Sequence, residues 1–429
     1  MSTTPEARAE ADYEAEVEAN LKRNYLSLLA HGIFGMTGFR LLNAPTILPA
    51  YIFLLSDSNL VVGLIVAAQH LGSAISALPG GNMISHRKRI VPVFLFIGAM
   101  MRMQLLGVAL AGLFLPDSWI LAATAVFLLF FGLFSGMQGV SFNYTVSKLV
   151  PVKVRGRLLG FRNFMAGFVS AFVAYVGGSY FLDHNTLGNG YATTFLLAFV
   201  LTAIGLVCLL WIKEPEPPTV PERAKLSSRL RELPALLRNS PGFSRYIFAV
   251  SLSTLSMSAV PFYILYAGER TELTGGDIGL LTATFMLAQT SVTPAWGYLA
   301  DRYGNKLVFV IAIVVWAAAL VLMLASSADW VLYVVFGGVG IGLGGYMIGS
   351  QNIMLEFGSR HALPMLIASA ATATSIMAAI GPVLAGLFIE SYSYATLFTI
   401  AIGMKILSVF VTIFFVKEPR HISRNTESR

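Results

Sequence analysis

Charge is scarce in this chain. Asp, Glu, Lys and Arg make up 12% of its 429 residues, and mean hydropathy is +0.72. A soluble domain carries about 25% charged residues, so the chain is read as an integral membrane protein. Cysteine is nearly missing. Cys208 stands alone in an apolar run, which excludes a disulfide or a thiol metal site within one copy. The histidines (His31, His70, His86, His184, His361 and His421) are scattered. No H-E-x-x-H, Ser/His/Asp set or phosphate loop accompanies them, so neither an enzyme nor an ATP-driven pump is expected, and no cofactor or metal. No signal peptide is visible: residues 1–23 are polar and acidic, and the first apolar span is expected to direct insertion.

Acids are missing from the apolar stretches. The 22 Asp and Glu fall in the N-terminal tail, in loops or at span ends, so a carboxylate proton relay is not expected. His70, at mid-span, is the imidazole placed to titrate near neutral pH; a plain packed histidine is the alternative.

Long apolar runs are what the chain has. Twelve candidate spans lie at about 26–55, 60–83, 90–114, 119–146, 158–182, 191–212, 245–268, 277–299, 307–326, 330–354, 363–389 and 395–416. The polar gap 213–244, with Pro215, Pro217, Pro218 and Pro221, divides six from six. The expected organisation is all-α: a tail (1–23), a six-helix bundle (24–212), a linker (213–244), a second bundle (245–418) and a tail (419–429). Nearly all of the 29 basic residues fall on the N-terminal side of the membrane, among them Arg87–Arg89 and the group Lys148, Lys153, Arg155, Arg157 and Arg162. Arg270 is on the other side. By the positive-inside rule both termini are cytoplasmic, and the net charge of +7 reads as topology rather than nucleic-acid binding.

The halves repeat. Gly63, Leu71 and Gly81 recur as Gly279, Leu287 and Gly297 at one common offset, and Pro49-Ala50-Tyr51 recurs as Pro261-Phe262-Tyr263. Lys213-Glu214-Pro215 closes span six as Lys417-Glu418-Pro419 closes span twelve. A parallel repeat of six spans is a transporter signature, with substrate bound between the halves.

The first span carries the residue of most interest. Arg40 sits near its centre with no acid in the span. An arginine at mid-membrane costs about 2.5–3.5 kcal/mol on insertion scales. A cavity, a partner or an anionic ligand must offset that. Thr37, Asn43, Ala44, Ile47 and Tyr51 share its helix face, and Pro45 and Pro49 are expected to bend the helix. The alternative is a structural arginine bonded to carbonyls of a neighbouring helix.

Gly297-Tyr298-Leu299-Ala300-Asp301-Arg302-Tyr303-Gly304-Asn305-Lys306 falls between spans eight and nine. It resembles the G-x-L-A-D-R-x-G-x-K loop of the major facilitator superfamily, and with the repeat the likeness covers residues 24–418. The first-half copy departs from it, with Ser85 in place of the aspartate. In span four Gln138-Gly139 is present, but Ser135 replaces the arginine of proton-linked members. Gly381-Pro382 appears in span eleven rather than in span five, where drug antiporters carry it.

The resemblance implies twelve helices and a cavity lined by spans 1, 2, 4, 5, 7, 8, 10 and 11. It implies substrate contacts from Arg40, Asn43, Tyr51, Gln69, His70, Gln138, Tyr263, Gln289 and Tyr346. The loop of Gly297, Asp301, Arg302 and Lys306 is expected to act as a conformational switch. Gly297 is expected to allow close helix packing, with Arg302 and Lys306 at the wet interface. Arg102 and Lys405, on peripheral spans, are expected to bond a neighbour or to snorkel.

The expected activity is secondary transport of a small solute across the inner membrane by alternating access. A cavity with a cation and no acid favours an organic anion. Efflux of amphipathic drugs or sugars is the alternative substrate reading, and a non-transporting receptor or scaffold the alternative class. Expected partners are the solute, the bilayer and a coupling ion, proton or sodium; the expected state is a monomer.

Overall fold

The structure, a computed structural model, describes residues 5–84, 87–218, 241–357 and 363–416. Ser85, most of the expected linker (219–240) and the tail from Lys417, with the second Lys-Glu-Pro, lie outside the described residues. No strand occurs among those described. The acidic tail forms a helix, α1 (Pro5–Ala19), ahead of the first span. Then follow α2 (Leu21–Leu42), α3 (Ile47–Ser56), α4 (Asn59–Ile84), α5 (Val91–Phe114), α6 (Asp117–Leu149), α7 (Val152–Val176) and α8 (Gly190–Cys208). After the linker come α9 (Pro241–Ser256), α10 (Tyr263–Arg270), α11 (Gly275–Ser291), α12 (Thr293–Tyr303), α13 (Asn305–Ala325), α14 (Trp330–Glu356), α15 (Leu363–Ser391) and α16 (Tyr394–Phe415).

Eleven helical stretches among the described residues are long and apolar enough to cross a membrane. The remaining expected span, 277–299, is broken at Val292 into α11 and α12. Pro294, second in α12, lies where its missing N–H leaves no bond unmade. The first span breaks for the same reason. Pro45 lies in the link between α2 and α3, and Pro49 is the third residue of α3. The repeat reproduces that break, since Pro261 falls in a 3-10 segment, Met257–Phe262, between α9 and α10.

Contacts group the chain into two units, each discontinuous. The first comprises residues 1–43, 68–173 and 185–226. In it α2 packs on α8, and α5 on both α6 and α8. Leu28, Phe94, Val146, Leu149, Leu158 and Leu209 form a buried cluster there. The second comprises 44–67, 174–184 and 227–429. It pairs α13 with α14 and α16, α11 with α14, and α9 with α15 and α16. Its core is aromatic: Phe243, Tyr246, Trp296 and Phe309. Apolar side chains left outside, such as Phe114, Phe172 and Phe414, suit a lipid boundary. Trp119 and Trp330, near helix starts, and Trp211, near a helix end, suit its interfaces.

The second unit thus takes in the distal parts of three early spans: α3, the start of α4 and the end of the fifth span. These distal ends pack on α11, α15 and α16. Thr46 and Thr282 share a hydrogen bond of 2.5 Å. Glu390 accepts from Ser58 Oγ and from the Leu60 amide, at 2.9 and 3.2 Å. Tyr394 donates to Asn59 at 2.6 Å. Gly178, in the π-helical turn after α7, lies so close to Gly275 and Gly279 that any side chain would overlap their backbone. Beside it Asp183 accepts from the Gly276 amide at 3.0 Å.

Helix α11 opens with a capping box. Thr274 accepts from the Asp277 amide, and Asp277 accepts from that of Thr274. Removing an N-cap hydroxyl costs about 1 kcal/mol. Thr274→Ala is expected to lower the midpoint of thermal unfolding by a few degrees while leaving the protein inserted, read by a fluorescence melt in detergent.

Candidate functional site

Arg40 lies in the last turn of α2, where a cation meets the negative end of the helix dipole. It is half-buried, and its Nη2 reaches the carbonyl of Asn163 in α7 at 3.4 Å. The next residue back is Arg162, counted by charge among the cations on the N-terminal side though it falls within the expected span 158–182. It lies well inside α7 and is 7% exposed. Its guanidinium lies 4.1 Å over the Phe142 ring of α6, and its Nε finds no hydrogen-bond acceptor. Gly32 of α2 makes the room, since a side chain there would overlap that of Arg162.

A second buried cation sits deeper in the same unit. Arg102 donates from Nε to the Thr202 carbonyl at 2.6 Å and from Nη1 to that of Gly98 at 2.7 Å. Its Nη2 stands 3.5 Å from Nε2 of His31. A guanidinium only donates, so that ring nitrogen is the acceptor and the neutral imidazole carries its proton on Nδ1. Nδ1 has no partner. His31 packs on Phe94 and on the Phe142 ring beneath Arg162. The six spans of this half contain a single acid, Asp117, at the first position of α6. Arg40, Arg102 and Arg162 therefore lie on α2, α5 and α7, which carry no carboxylate along their length.

Among the expected contact residues, Asn43 and Gln69 come together, with Gln69 Nε2 donating to Asn43 Oδ1 at 2.7 Å. Gln138 is buried beside Arg102, and its Oε1 lacks a donor. His70 is half-buried. In the second unit, Tyr51 and Tyr263 lie in close packing, at 1% and 0% exposure. The Tyr263 hydroxyl accepts from Trp316 Nε1 at 3.3 Å. Gln289 is half-buried, and Tyr346 shares a 3.0 Å hydrogen bond with Thr254.

The two peripheral cations do not snorkel. Arg102 is buried as described, and Lys405 is fully buried, its Nζ 3.6 Å over the Trp316 ring with no hydrogen-bond partner. In the loop motif Gly297 has open space where a Cβ would stand, so it does not serve close packing. Gly304 is the glycine that matters. It ends α12 at φ 97°, a conformation that favours glycine. Asp301 and Arg302 are exposed, and Arg302 donates to the Tyr298 hydroxyl at 2.7 Å. Lys306 donates to the carbonyls of Ile413 and Val416 at 3.1 and 2.6 Å, holding the end of α16. It is tied to a helix end rather than free in the interface.

Sequence reasoning gave Arg162 and His31 no part in the site. The available signal was the expected span 158–182, which already holds Arg162 inside an apolar helix.

The family model described as Major Facilitator Superfamily matches residues 32–270 and 246–429. Multidrug resistance protein MdtG of Escherichia coli is 27% identical over 164 residues. That match takes in 37% of this chain and spans 40% of the relative's length. Among solved structures, a mutant form of the nucleoside transporter NupG superimposes with a TM-score of 0.74 at 13% identity, over 92% of this chain and all of that one. The human organic anion transporter MFSD10 gives 0.67 at 15% identity, over 91% and 99%. The xylose transporter XylE of E. coli, in an inward-open conformation, gives 0.66 at 16% identity, over 94% and 97%.

Proposed function

The chain belongs to the major facilitator superfamily, whose members move small solutes across membranes, and on that premise we propose that it carries a small organic anion by alternating access. Both termini are cytoplasmic in this reading, the membrane is the bacterial inner membrane, and the working unit is a monomer. Arg40 and Arg162 attract the anionic group, and Asn43, Gln69 and, beside Arg102, Gln138 supply neutral hydrogen bonds. Tyr51 and Tyr263 belong to the packing of the second unit.

One observation carries the reading. Arg162 is buried with an Nε–H that no acceptor meets, in a half whose spans hold no acid beyond Asp117. A buried donor on a cation, left without an acceptor, is costly, and an anionic ligand removes that cost. The organic anion transporter with the same fold is in keeping with this substrate class. Efflux of amphipathic drugs is the second reading, favoured by the local match to a multidrug resistance protein.

Thermal unfolding of the purified full-length protein against organic anions, sugars, nucleosides and lipophilic cations tests the proposal. A ligand at a hundred times its Kd stabilises by about 2.7 kcal/mol. Organic anions are expected to raise the midpoint in wild type and not in Arg162→Gln. Stabilisation by sugars or cations with none by anions would reject the anion reading.

A further inference from the structure

A cavity of about 300 Å³ opens in the second unit between α9, α14 and α15. Tyr246, Tyr346, Met347, Met354 and Ala371 line it, with Gln351 among them, and no charged side chain among the described residues does. Both tyrosines spend their hydroxyls elsewhere. Tyr346 bonds Thr254, and Tyr246 donates to the carbonyl of Ser350. What they offer the cavity is ring surface. The two methionines are flexible and polarisable, and they adapt to ring edges of varied shape. Gln351 is exposed. An amide facing acyl chains would lack partners, so its presence fits a wet mouth rather than a lipid groove. For scale, an apolar cavity of about 150 Å³ takes up benzene. This one has room for a larger ring body.

We propose that this cavity binds an uncharged aromatic body, the apolar part of the transported solute. The assignment of the occupant as the transported solute rests on the transporter reading above. The cavity's preference for an apolar ring does not rest on the anion reading.

The test uses the full-length protein in lipid nanodiscs with three probes: 4-phenylbutyrate, butyrate and 4-phenylbutanol. Binding is read by thermal unfolding and titration. Wild type is expected to bind 4-phenylbutyrate at least about tenfold more tightly than butyrate, the added ring entering an apolar pocket. Ala371→Trp fills the space from an exposed position, and Ala370→Leu fills it from a buried one. Both are expected to bring 4-phenylbutyrate down to the level of butyrate. Retention of the unliganded unfolding midpoint in either variant shows that the fold stands.

The ring advantage persisting in both filled variants would overturn the proposal, as would failure of both aryl compounds to bind wild type. The anion reading fails separately: 4-phenylbutanol then binds wild type as tightly as 4-phenylbutyrate, and the filled variants still weaken both.

Discussion

Replacing Arg40 by alanine is expected to lower the initial rate of organic anion uptake at least about thirtyfold, with the protein still inserted. The figure follows from truncating one partner of a desolvated charge pair, which costs about 2–5 kcal/mol. Arg40 reaches the Asn163 carbonyl from the end of α2 at 3.4 Å. Arg40→Lys keeps the charge but loses the planar fork, so a partial loss is expected. Uptake into proteoliposomes, normalised to reconstituted protein, makes the comparison. Unchanged rates in Arg40→Ala would leave the arginine as a helix anchor, the structural role that the sequence also allows.

The second large effect is expected at Gly178. The distal ends of the helices close on one another there, with Gly178 against Gly275 and Gly279. A leucine cannot fit without parting the two segments, and overpacking of this kind costs about 1–3 kcal/mol. If the closed distal end is one of two states of similar energy, that cost shifts the balance toward the open one by about 5- to 150-fold. A cysteine at Thr46, which is buried against Thr282, reports the change. In a background with Cys208→Ser, Thr46→Cys is expected to react with a membrane-impermeant maleimide at least about fivefold faster when Gly178→Leu is added. Equal rates would mean that this end does not open.

Much of the architecture is legible in the sequence because lipid imposes it. Apolar length sets the crossings, and prolines set the breaks at 43–46 and 257–262. What the sequence withholds is which helix each polar side chain meets. Arg162 and the loop lysines look alike to a rule that counts positive charge, yet Arg162 turns inward because Gly32 clears its path. Arg102 and Lys405 allow either a bond to a neighbouring helix or snorkelling, and Thr202, Gly98 and Trp316 around them decide for burial. Gly297 matches the loop motif but packs against nothing, while Gly304 carries the left-handed turn. These differences arise from contacts between distant segments, and no local period encodes them.

Solute counterflow in proteoliposomes tests the central claim most directly. Vesicles are loaded with an unlabelled solute, and entry of the same labelled solute is followed for an aryl carboxylate, a nucleoside, xylose and a lipophilic cation. The account expects counterflow of the aryl carboxylate and its loss in Arg162→Gln. Counterflow of a neutral or cationic solute, at a rate that Arg40 and Arg162 substitutions leave unchanged, would contradict it.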